Sequence, residues 1–150
     1  MRFAAEQDVD KLVRFLGRAY ADGTNIEKIY RQFMLMEDED GDIQAVIGYE
    51  KAGSAGLLRS LVLSPTVDKP RFLQFFQTFL GHIIEQNVEN LYLVTNKKSA
   101  LPLFHKFGFY TVEKDGVIDE IAELSHFKSC IGQPEAFILN CQLLTKLPTD

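Results

Sequence analysis

The feature that most constrains the fold is a central run in which strand and helix patterns alternate along the chain. Apolar residues recur at intervals of three and four over 70–84, which is the spacing of one face of a helix. Apolar strand patterns flank this helix at 57–63 and 91–95, and a second helical pattern at 98–107 leads into a strand that ends near 113. Strands joined by helices pair in parallel through right-handed crossovers, so we expect parallel pairing in this half of the chain.

The N-terminal half has the pattern of antiparallel strands. A short first strand precedes an amphipathic helix, with Asp8 as the expected N-cap. The apolar face of this helix is predicted to contain Val9, Leu12, Val13, Phe15, Leu16, Ala19 and Tyr20. A shorter helix is expected over 26–32. The strands 33–37 and 44–51 flank an acidic turn and form a hairpin, and a second hairpin leads into 57–63.

Composition and length indicate one folded domain spanning 1–150, because a chain of 150 residues is long enough to bury a single core. A short helix within 117–127 and a last strand at 136–144 complete the pattern. A net charge of −5 without a basic run argues against a nucleic-acid partner. The chain has neither a membrane-spanning stretch nor a signal-peptide core, so we expect a cytoplasmic protein without a membrane partner and with free thiols at Cys130 and Cys141.

The acidic turn has the alternating carboxylates of a calcium loop but not its other requirements. Asp38, Asp40 and Asp42 alternate, yet Ile43 stands where the loop needs glycine and Tyr49 where it needs a bidentate glutamate. The three histidines lie far apart in the sequence and lack the spacing of metal ligands. We therefore expect no metal site.

The order of elements, together with "LLRSLVLSP", "LYLVT" and "NKKSALPLFHKFGF", resembles the GNAT superfamily of acetyl-CoA-dependent N-acetyltransferases over nearly the whole chain. The resemblance implies an α/β (α+β) fold whose mixed central sheet has an antiparallel N-terminal half and a parallel pair in the middle, flanked by helices. It also implies that acetyl-CoA binds as acyl donor. The strand at 57–63, with Leu61 and Leu63, would present backbone groups to the pantetheine arm. The helix from Pro70 would receive the pyrophosphate, with Phe72 lining the groove or belonging to the core.

The pyrophosphate loop departs from the family pattern. The motif Gln/Arg-x-x-Gly-x-Gly/Ala falls on Asp68, Arg71 and Leu73, so both glycines are replaced. Lys69 and Arg71 nevertheless bring two positive charges to the first turn of a helix, where the helix dipole already favours anions. Two alternatives remain: the loop binds pyrophosphate through Lys69, Pro70 and Arg71, or it has lost that task.

The second half of the family pattern, Asn-x-x-Ala-x-x-x-Tyr-x-Lys-x-Gly-Phe, is matched with one inserted residue. The matching positions are Asn96, Ala100, Phe104, Lys106, Gly108 and Phe109. The resemblance assigns Asn96 and Phe104 to the cofactor site. Phe104 stands where the family's tyrosine protonates the leaving thiolate, and a phenyl ring has no proton to give. Water can protonate the thiolate instead.

The finer resemblance is to amino-acid N-acetyltransferases of the glutamate and arsenic-resistance-operon types. Arg59 is the residue that we single out, because a guanidinium in an apolar strand is costly to bury unless an anion meets it. In those enzymes the corresponding arginine binds the substrate carboxylate. Alternatively, Arg59 pairs with Glu50 or Glu37 of neighbouring strands. Thr95 and Ser129 could complete the carboxylate site. Alternatively, Thr95 caps the helix that follows, and Ser129 faces solvent.

These residues lead us to expect an N-acetyltransferase that moves acetyl from acetyl-CoA to the amino group of an amino acid or analogue, by direct transfer. We assign no catalytic residue, because Glu50, Glu37 and water all remain possible bases. The other readings are a non-catalytic GNAT-like module that acts as a sensor or protein partner, and an enzyme that uses a different acyl-CoA. A homodimer is also compatible with this fold.

Overall fold

The computed structural model describes residues 1–19 and 26–143. Its strands are β1 (Arg2–Phe3), β2 (Phe33–Glu37), β3 (Ile43–Ala52), β4 (Ala55–Leu63), β5 (Asn90–Thr95), β6 (Tyr110–Val112) and β7 (Phe137–Gln142). Its α-helices are α1 (Val9–Arg18), α2 (Ile26–Ile29), α3 (Lys69–Glu85), α4 (Leu101–Lys106), α5 (Asp119–Ala122) and α6 (Ser125–Ile131). Short 3-10 turns lie at Glu6–Asp8, Tyr30–Gln32, Lys98–Ala100 and Lys114–Gly116.

The strands form a seven-stranded mixed sheet in the order β1-β2-β3-β4-β5-β7-β6, flanked by helices. The expected fold class is confirmed: β1, β2 and β3 pair antiparallel, and β4 and β5 form the parallel pair. Within the described residues, no helix is both long enough and apolar enough to cross a bilayer. Residue contacts divide the chain into two compact units, Met1–Glu50 with Arg59–His82 and Lys51–Leu58 with Ile83–Asp150.

The first unit contains a core built on β2, β3 and the two N-terminal helices. Leu12 and Leu16 of α1 are fully buried against this core, at the helical spacing that the sequence predicts. Its buried members are Ala4, Leu12, Leu16, Ile26, Phe33, Leu35, Ile43 and Val46. In α3, the phenyl rings of Phe72, Phe75, Phe76 and Phe79 are all buried, as the aromatic spacing predicts. The buried face that the sequence predicts for this helix is therefore confirmed.

Two details of the first helix differ from the prediction, and a third is not tested. Asp8 precedes α1 but its carboxylate does not cap it; the carboxylate turns back to the N–H of Ala5 and to Arg2. Val13 is 43% exposed and Ala19 is exposed, so the buried face is narrower than predicted. Tyr20 lies outside the described residues.

The second unit has its core between the sheet and the late helices. Ala55 and Leu57 of β4 pair with β5, and the helices α5 and α6 contribute Ile121 and Phe127 to the core. We expected β6 to pair directly with β5 in parallel; the two strands run in the same direction, but the direct pairing is wrong. The last strand, β7, lies between β5 and β6 and pairs antiparallel with both. A C-terminal strand can take this place because antiparallel neighbours need no crossover helix.

The parallel ladder between β4 and β5 is short. It pairs Ala55, Gly56 and Leu57 with Asn90, Leu91 and Tyr92, and no further pair follows among the described residues. Both strands continue beyond the ladder, β4 to Leu63 and β5 to Thr95. The later backbone of β4 is thus not committed to a ladder with β5.

Candidate functional site

Arg59 lies on β4 in the first unit and is 5% exposed. Its Nη1 donates a hydrogen bond to Oε1 of Glu50, with which it forms an ion pair. The guanidinium also lies over the ring of Phe33, with 5.8 Å between Cζ and the ring centroid. Of the two partners that the sequence offered, the structure selects Glu50. The carboxylate side of this pair is the more accessible one, because the side chain of Glu50 is 21% exposed and that of Arg59 only 3%.

A glycine makes room for the ring below Arg59. A Cβ atom built on Gly48 would lie 2.6 Å from Cε1 of Phe33, closer than side-chain carbons approach one another in folded proteins. Gly48 and Phe33 are direct partners in the β2–β3 ladder. Gly48 therefore allows the Phe33 ring to cross the strand and support the guanidinium.

Ser60 follows Arg59 and has a conformation that the sequence did not predict. Its φ is 58°, in the left-handed region, although it lies within a strand. Such a residue turns the adjoining peptide groups out of the regular ladder direction, and backbone of this kind concentrates at ligand sites. Glycine or asparagine would have signalled a positive φ, whereas serine does not.

Glu37, the other carboxylate near Arg59 in the sequence argument, belongs to a different group. Lys11 donates to its Oε2 at 2.7 Å, and Arg2 donates to its Oε1 at 2.9 Å. These hydrogen bonds hold the pKa of Glu37 below its ordinary value, so it is a weaker proton acceptor than a free carboxylate. Arg2 also binds Asp8 through two hydrogen bonds of 2.7 and 2.8 Å, which lowers the pKa of Asp8 to about 2. Both oxygens of Glu37 thus accept hydrogen bonds from cationic side chains, which disfavours Glu37 as the base.

The first turn of α3 carries its own carboxylate. Asp68 Oδ1 accepts a hydrogen bond of 2.9 Å from the N–H of Arg71, and Pro70 has no N–H to offer. Two of the backbone donors that an anion would use at a helix N-terminus are therefore engaged or missing. The side chains of Lys69 and Arg71 are exposed, and Nη2 of Arg71 lies 3.4 Å from Sδ of Met36.

The remaining predicted cofactor residues of the first unit differ in exposure. Phe72 is 6% exposed and its ring lies 5.8 Å from that of Phe76, so it belongs to the core. Leu63 is 37% exposed and Leu61 is half-buried, at the end of β4.

In the second unit, Thr95 ends β5 and Asn96 follows it. The hydroxyl of Thr95 accepts a hydrogen bond of 3.1 Å from the N–H of Lys97, two residues ahead, but it does not cap the helical turn that follows, whose N-cap is Lys97. The exposed amide of Asn96 donates to Oε1 of Gln133 at 3.3 Å. Ser129 is exposed on α6.

Phe104 is buried on α4 at 7% exposure. Its ring meets that of Phe109 edge to face, with 6.0 Å between centroids. This packing suits a phenyl ring, and the position has no acidic proton for a leaving thiolate.

The acidic turn engages one of its own carboxylates. Asp38 Oδ1 accepts hydrogen bonds from the N–H groups of Asp40 and Asp42, at 2.9 and 3.0 Å. Carboxylate oxygens of all three residues lie within 4.8 Å of one another, and all three residues are exposed. An aspartate that accepts from the backbone two and four residues ahead is a common way to stabilise such a turn.

Comparison with known proteins identifies one relative by sequence. No protein-family model matches the chain. The chain is 30% identical over 128 residues to YwlB of Bacillus subtilis (strain 168), an uncharacterized protein, and the match covers 85% of this chain and 86% of YwlB. This identity over most of both chains indicates a shared family.

Solved structures of acetyltransferases have the same fold. N-acetylglutamate synthase of Neisseria gonorrhoeae, complexed with coenzyme A and N-acetyl-glutamate, superposes with a TM-score of 0.73 at 17% identity. The match covers 95% of this chain but only 34% of the synthase, so the chain spans about a third of that enzyme. Rv2747 of Mycobacterium tuberculosis, in complex with coenzyme A, also gives 0.73 at 17% identity and is covered over 98% of its length.

A third structure is an acetyltransferase of the GNAT family from Staphylococcus aureus Mu50. It gives a TM-score of 0.70 at 15% identity, with 93% of this chain and 95% of that chain covered. Identities this low establish the fold and leave the substrate open. The chain has the GNAT acetyltransferase fold and belongs to the same family as YwlB of Bacillus subtilis.

Proposed function

We propose that this protein is an N-acetyltransferase that moves acetyl from acetyl-CoA to the amino group of an amino acid or a close analogue. The single observation that carries the proposal is the buried guanidinium of Arg59, whose partner Glu50 stays partly exposed. The GNAT fold supports acetyl transfer in general, since similar structures were solved with coenzyme A. The proposal also treats residues 1–150 as one GNAT-like domain.

The acceptor carboxylate would bind to Arg59 in place of, or beside, the carboxylate of Glu50. A guanidinium presents a planar fork that binds a carboxylate through two hydrogen bonds, so the acceptor would be oriented as well as attracted. Simple amines lack this group and would be excluded. Thr95 and Ser129 stay predictions for the same carboxylate; each has a hydroxyl that can donate a hydrogen bond.

The chemistry that we propose is direct transfer. The neutral amine attacks the thioester carbonyl, and the resulting tetrahedral intermediate passes one N–H proton to Glu50 or to water. The C–S bond then breaks, so that coenzyme A leaves as a thiolate and the acetylated amine is the product. Backbone N–H groups of β4 near Ser60 would polarise the carbonyl oxygen. Water would protonate the thiolate, because Phe104 cannot.

Acetyl-CoA would be bound by the end of β4 and the start of α3. Leu61 and Leu63 would contribute backbone groups to the pantetheine arm, and Lys69 and Arg71 would neutralise phosphate charge near Pro70. Asn96, Phe104 and Phe72 stay predictions for the same cofactor. The closer relationship to amino-acid acetyltransferases and the altered glycine loop are likewise parts of this proposal.

One observation favours a second candidate, a non-catalytic GNAT-like module that acts as a sensor or protein partner. The Asp68 carboxylate already occupies a backbone donor in the first turn of α3, where a pyrophosphate would compete with it. The same feature would let the chain keep the fold without binding the cofactor. A homodimer is compatible with either candidate.

The test is a calorimetric titration with acetyl-CoA, followed by mass spectrometry of mixtures that contain acetyl-CoA and single amino acids, starting with glutamate. We expect one acetyl-CoA per chain and an acetylated amino acid. The test variant is Lys69→Gln/Arg71→Gln, which should weaken acetyl-CoA binding. Absence of both binding and product with the folded protein would favour the second candidate.

A further inference from the structure

The first unit contains a cavity whose charged lining residues have no role in the proposed chemistry. Its volume is about 650 Å³, within the range of small-molecule sites. The lining includes Lys11, Arg14 and Arg18 of α1, together with Leu63 at the end of β4 and Ser64 just after it. Asp42 is the carboxylate among the lining residues. The lining therefore holds three cations and one anion, in a protein whose net charge is −5.

The three cations are not equivalent. Lys11 is neutralised, since its Nζ donates to Oε2 of Glu37 at 2.7 Å and to the carbonyl oxygen of Gly41 at 3.0 Å. For Arg14 and Arg18, the structure records no hydrogen bond or ion pair with any of the residues it describes. Both are exposed. They stand four residues apart on α1, so their side chains are neighbours on one face of the helix, and like charges in this arrangement repel each other.

A bound dianion would remove this repulsion. Each guanidinium presents a planar fork that matches phosphate oxygens, and two forks one turn apart can share a phosphate or a diphosphate. The apolar part of the lining, Phe15 on α1 and Leu63 on β4, leaves space for the rest of an organic molecule. Such a pairing of a few charged groups with apolar walls is typical of ligand sites.

A second observation concerns the loop that starts at this cavity. Ser64 and Pro65 line the cavity and open the loop to α3, yet the first turn of α3 is capped by Asp68. The cavity therefore offers two arginine side chains to an anion, while the helix start presents a carboxylate of its own.

We propose that the cavity beside α1 binds a phosphate-bearing small molecule through Arg14 and Arg18. Two kinds of molecule could carry this phosphate: coenzyme A, through a phosphate group other than the diphosphate that Lys69 and Arg71 would hold, or a separate phosphate ester. The inference does not depend on acetyl transfer, because it concerns anion binding by the first unit alone.

The experiment is a calorimetric titration of the full chain with inorganic pyrophosphate, for the unmodified protein and three double variants. Arg14→Gln/Arg18→Gln removes both guanidinium groups of the cavity, and Lys69→Gln/Arg71→Gln removes the two cations in the first turn of α3. Lys28→Gln/Lys114→Gln removes the same charge from exposed positions elsewhere and is the matched control. We expect a site whose Kd rises about tenfold or more in the Arg14→Gln/Arg18→Gln variant, as lost charge-assisted hydrogen bonds require. Any pyrophosphate bound at the α3 start is a separate site, which is weakened in Lys69→Gln/Arg71→Gln, and the control variant should bind as the unmodified protein does.

Three results would overturn the proposal: no pyrophosphate binding by the unmodified protein, an equal loss in the control variant, or a loss confined to Lys69→Gln/Arg71→Gln. Arg14→Lys/Arg18→Lys keeps the charge without the fork and should weaken binding less than the glutamine pair. Competition experiments then identify the molecule whose phosphate binds in the cavity. Displacement of pyrophosphate by coenzyme A but not by pantetheine identifies the cofactor's phosphates, and simultaneous binding of coenzyme A identifies a separate phosphate ester.

Discussion

Asp8 and Arg59 are the charged residues that the described chain buries, and the protein satisfies their charges in different ways. Asp8 accepts two hydrogen bonds from Arg2 and one from the N–H of Ala5, so the buried carboxylate is enclosed by donors of the chain itself. Arg59 is the buried member of its pair, and its partner Glu50 reaches towards solvent.

We interpret the Asp8 ion pair as structural, and we propose that Arg59 can exchange Glu50 for another carboxylate. A carboxylate held by three donors near the chain start contributes to stability and leaves no room for a ligand. A buried cation with a partly exposed carboxylate can accept another carboxylate in its place, since the desolvation of the guanidinium is already compensated in the folded protein. The predictions below test this contrast, beginning with the largest expected effect.

Asp8→Ala should lower the free energy of unfolding by about 3 kcal/mol, because it removes three hydrogen bonds to a buried charge. Urea denaturation at pH 7 measures the loss. Asp10→Ala, which changes an exposed carboxylate two residues later, is the matched control and should cost less than about 1 kcal/mol. Equal losses in the two variants would contradict a structural role for Asp8.

The ion pairs of Arg2 with Asp8 and Glu37 predict how the stability of the protein depends on pH. The pKa values of Asp8 and Glu37 are lower in the folded protein than in the unfolded chain, with Asp8 at about 2. Their contribution is complete above the unfolded value of about 4, and it is lost as the pH falls towards 2. Unfolding curves of the unmodified protein should therefore move to lower urea between pH 5 and pH 3, and this shift should be smaller in Asp8→Ala.

Arg59→Met should raise the KM for an amino-acid acceptor about 100-fold, the effect of losing a desolvated charge pair. The variant keeps the volume of an apolar strand position and leaves Glu50 free to reach solvent, so stability should fall by less than in Asp8→Ala. Initial rates at saturating acetyl-CoA measure the effect, with Arg31→Met as a control at an exposed arginine. An unchanged KM would remove Arg59 from the acceptor site.

The Glu50→Gln variant tests whether Glu50 competes with the acceptor for Arg59 or acts as the catalytic base. If Glu50 only occupies Arg59 until the acceptor binds, removing its charge should lower the acceptor KM several-fold with kcat unchanged. A large fall in kcat would instead identify Glu50 as the base, and the two outcomes are read from one set of initial rates.

Asp68→Asn should have the smallest effect. Asparagine is as good an N-cap as aspartate, so the helix should keep its stability while one negative charge leaves the first turn of α3. We expect the Kd for acetyl-CoA to fall about threefold, within the range of a single helix-end charge. A weaker affinity would mean that the Asp68 carboxylate helps the cofactor to bind.

Sequence periodicity predicted individual helices and strands, the resemblance to the GNAT superfamily predicted the fold, and local chemistry did not predict every pairing. The phenyl row of α3 and the hairpin of β2 and β3 follow from spacing alone. The place of β7 between β5 and β6 depends on contacts far apart in sequence, which a single chain pattern does not encode. Asp8 has the residue type of a cap, but Arg2 competes for the carboxylate more strongly than the helix does.

The candidate site was predicted in part. Arg59 was identified because an arginine in an apolar strand demands an anion, but Glu37 and Glu50 were equivalent choices until the fold gave Glu37 to Lys11 and Arg2. The positive φ of Ser60 was not predictable from a serine. The role of Gly48 depends on the Phe33 ring across the ladder, which is a tertiary contact.

The most direct test of the account compares an amino acid with its α-carboxamide as acceptors, in the unmodified protein and in Arg59→Met. We predict that kcat/KM favours the acid by about 100-fold and that this preference disappears in the variant, because the guanidinium is the group that reads the carboxylate. The same preference in both proteins would contradict the central claim that Arg59 selects the acceptor.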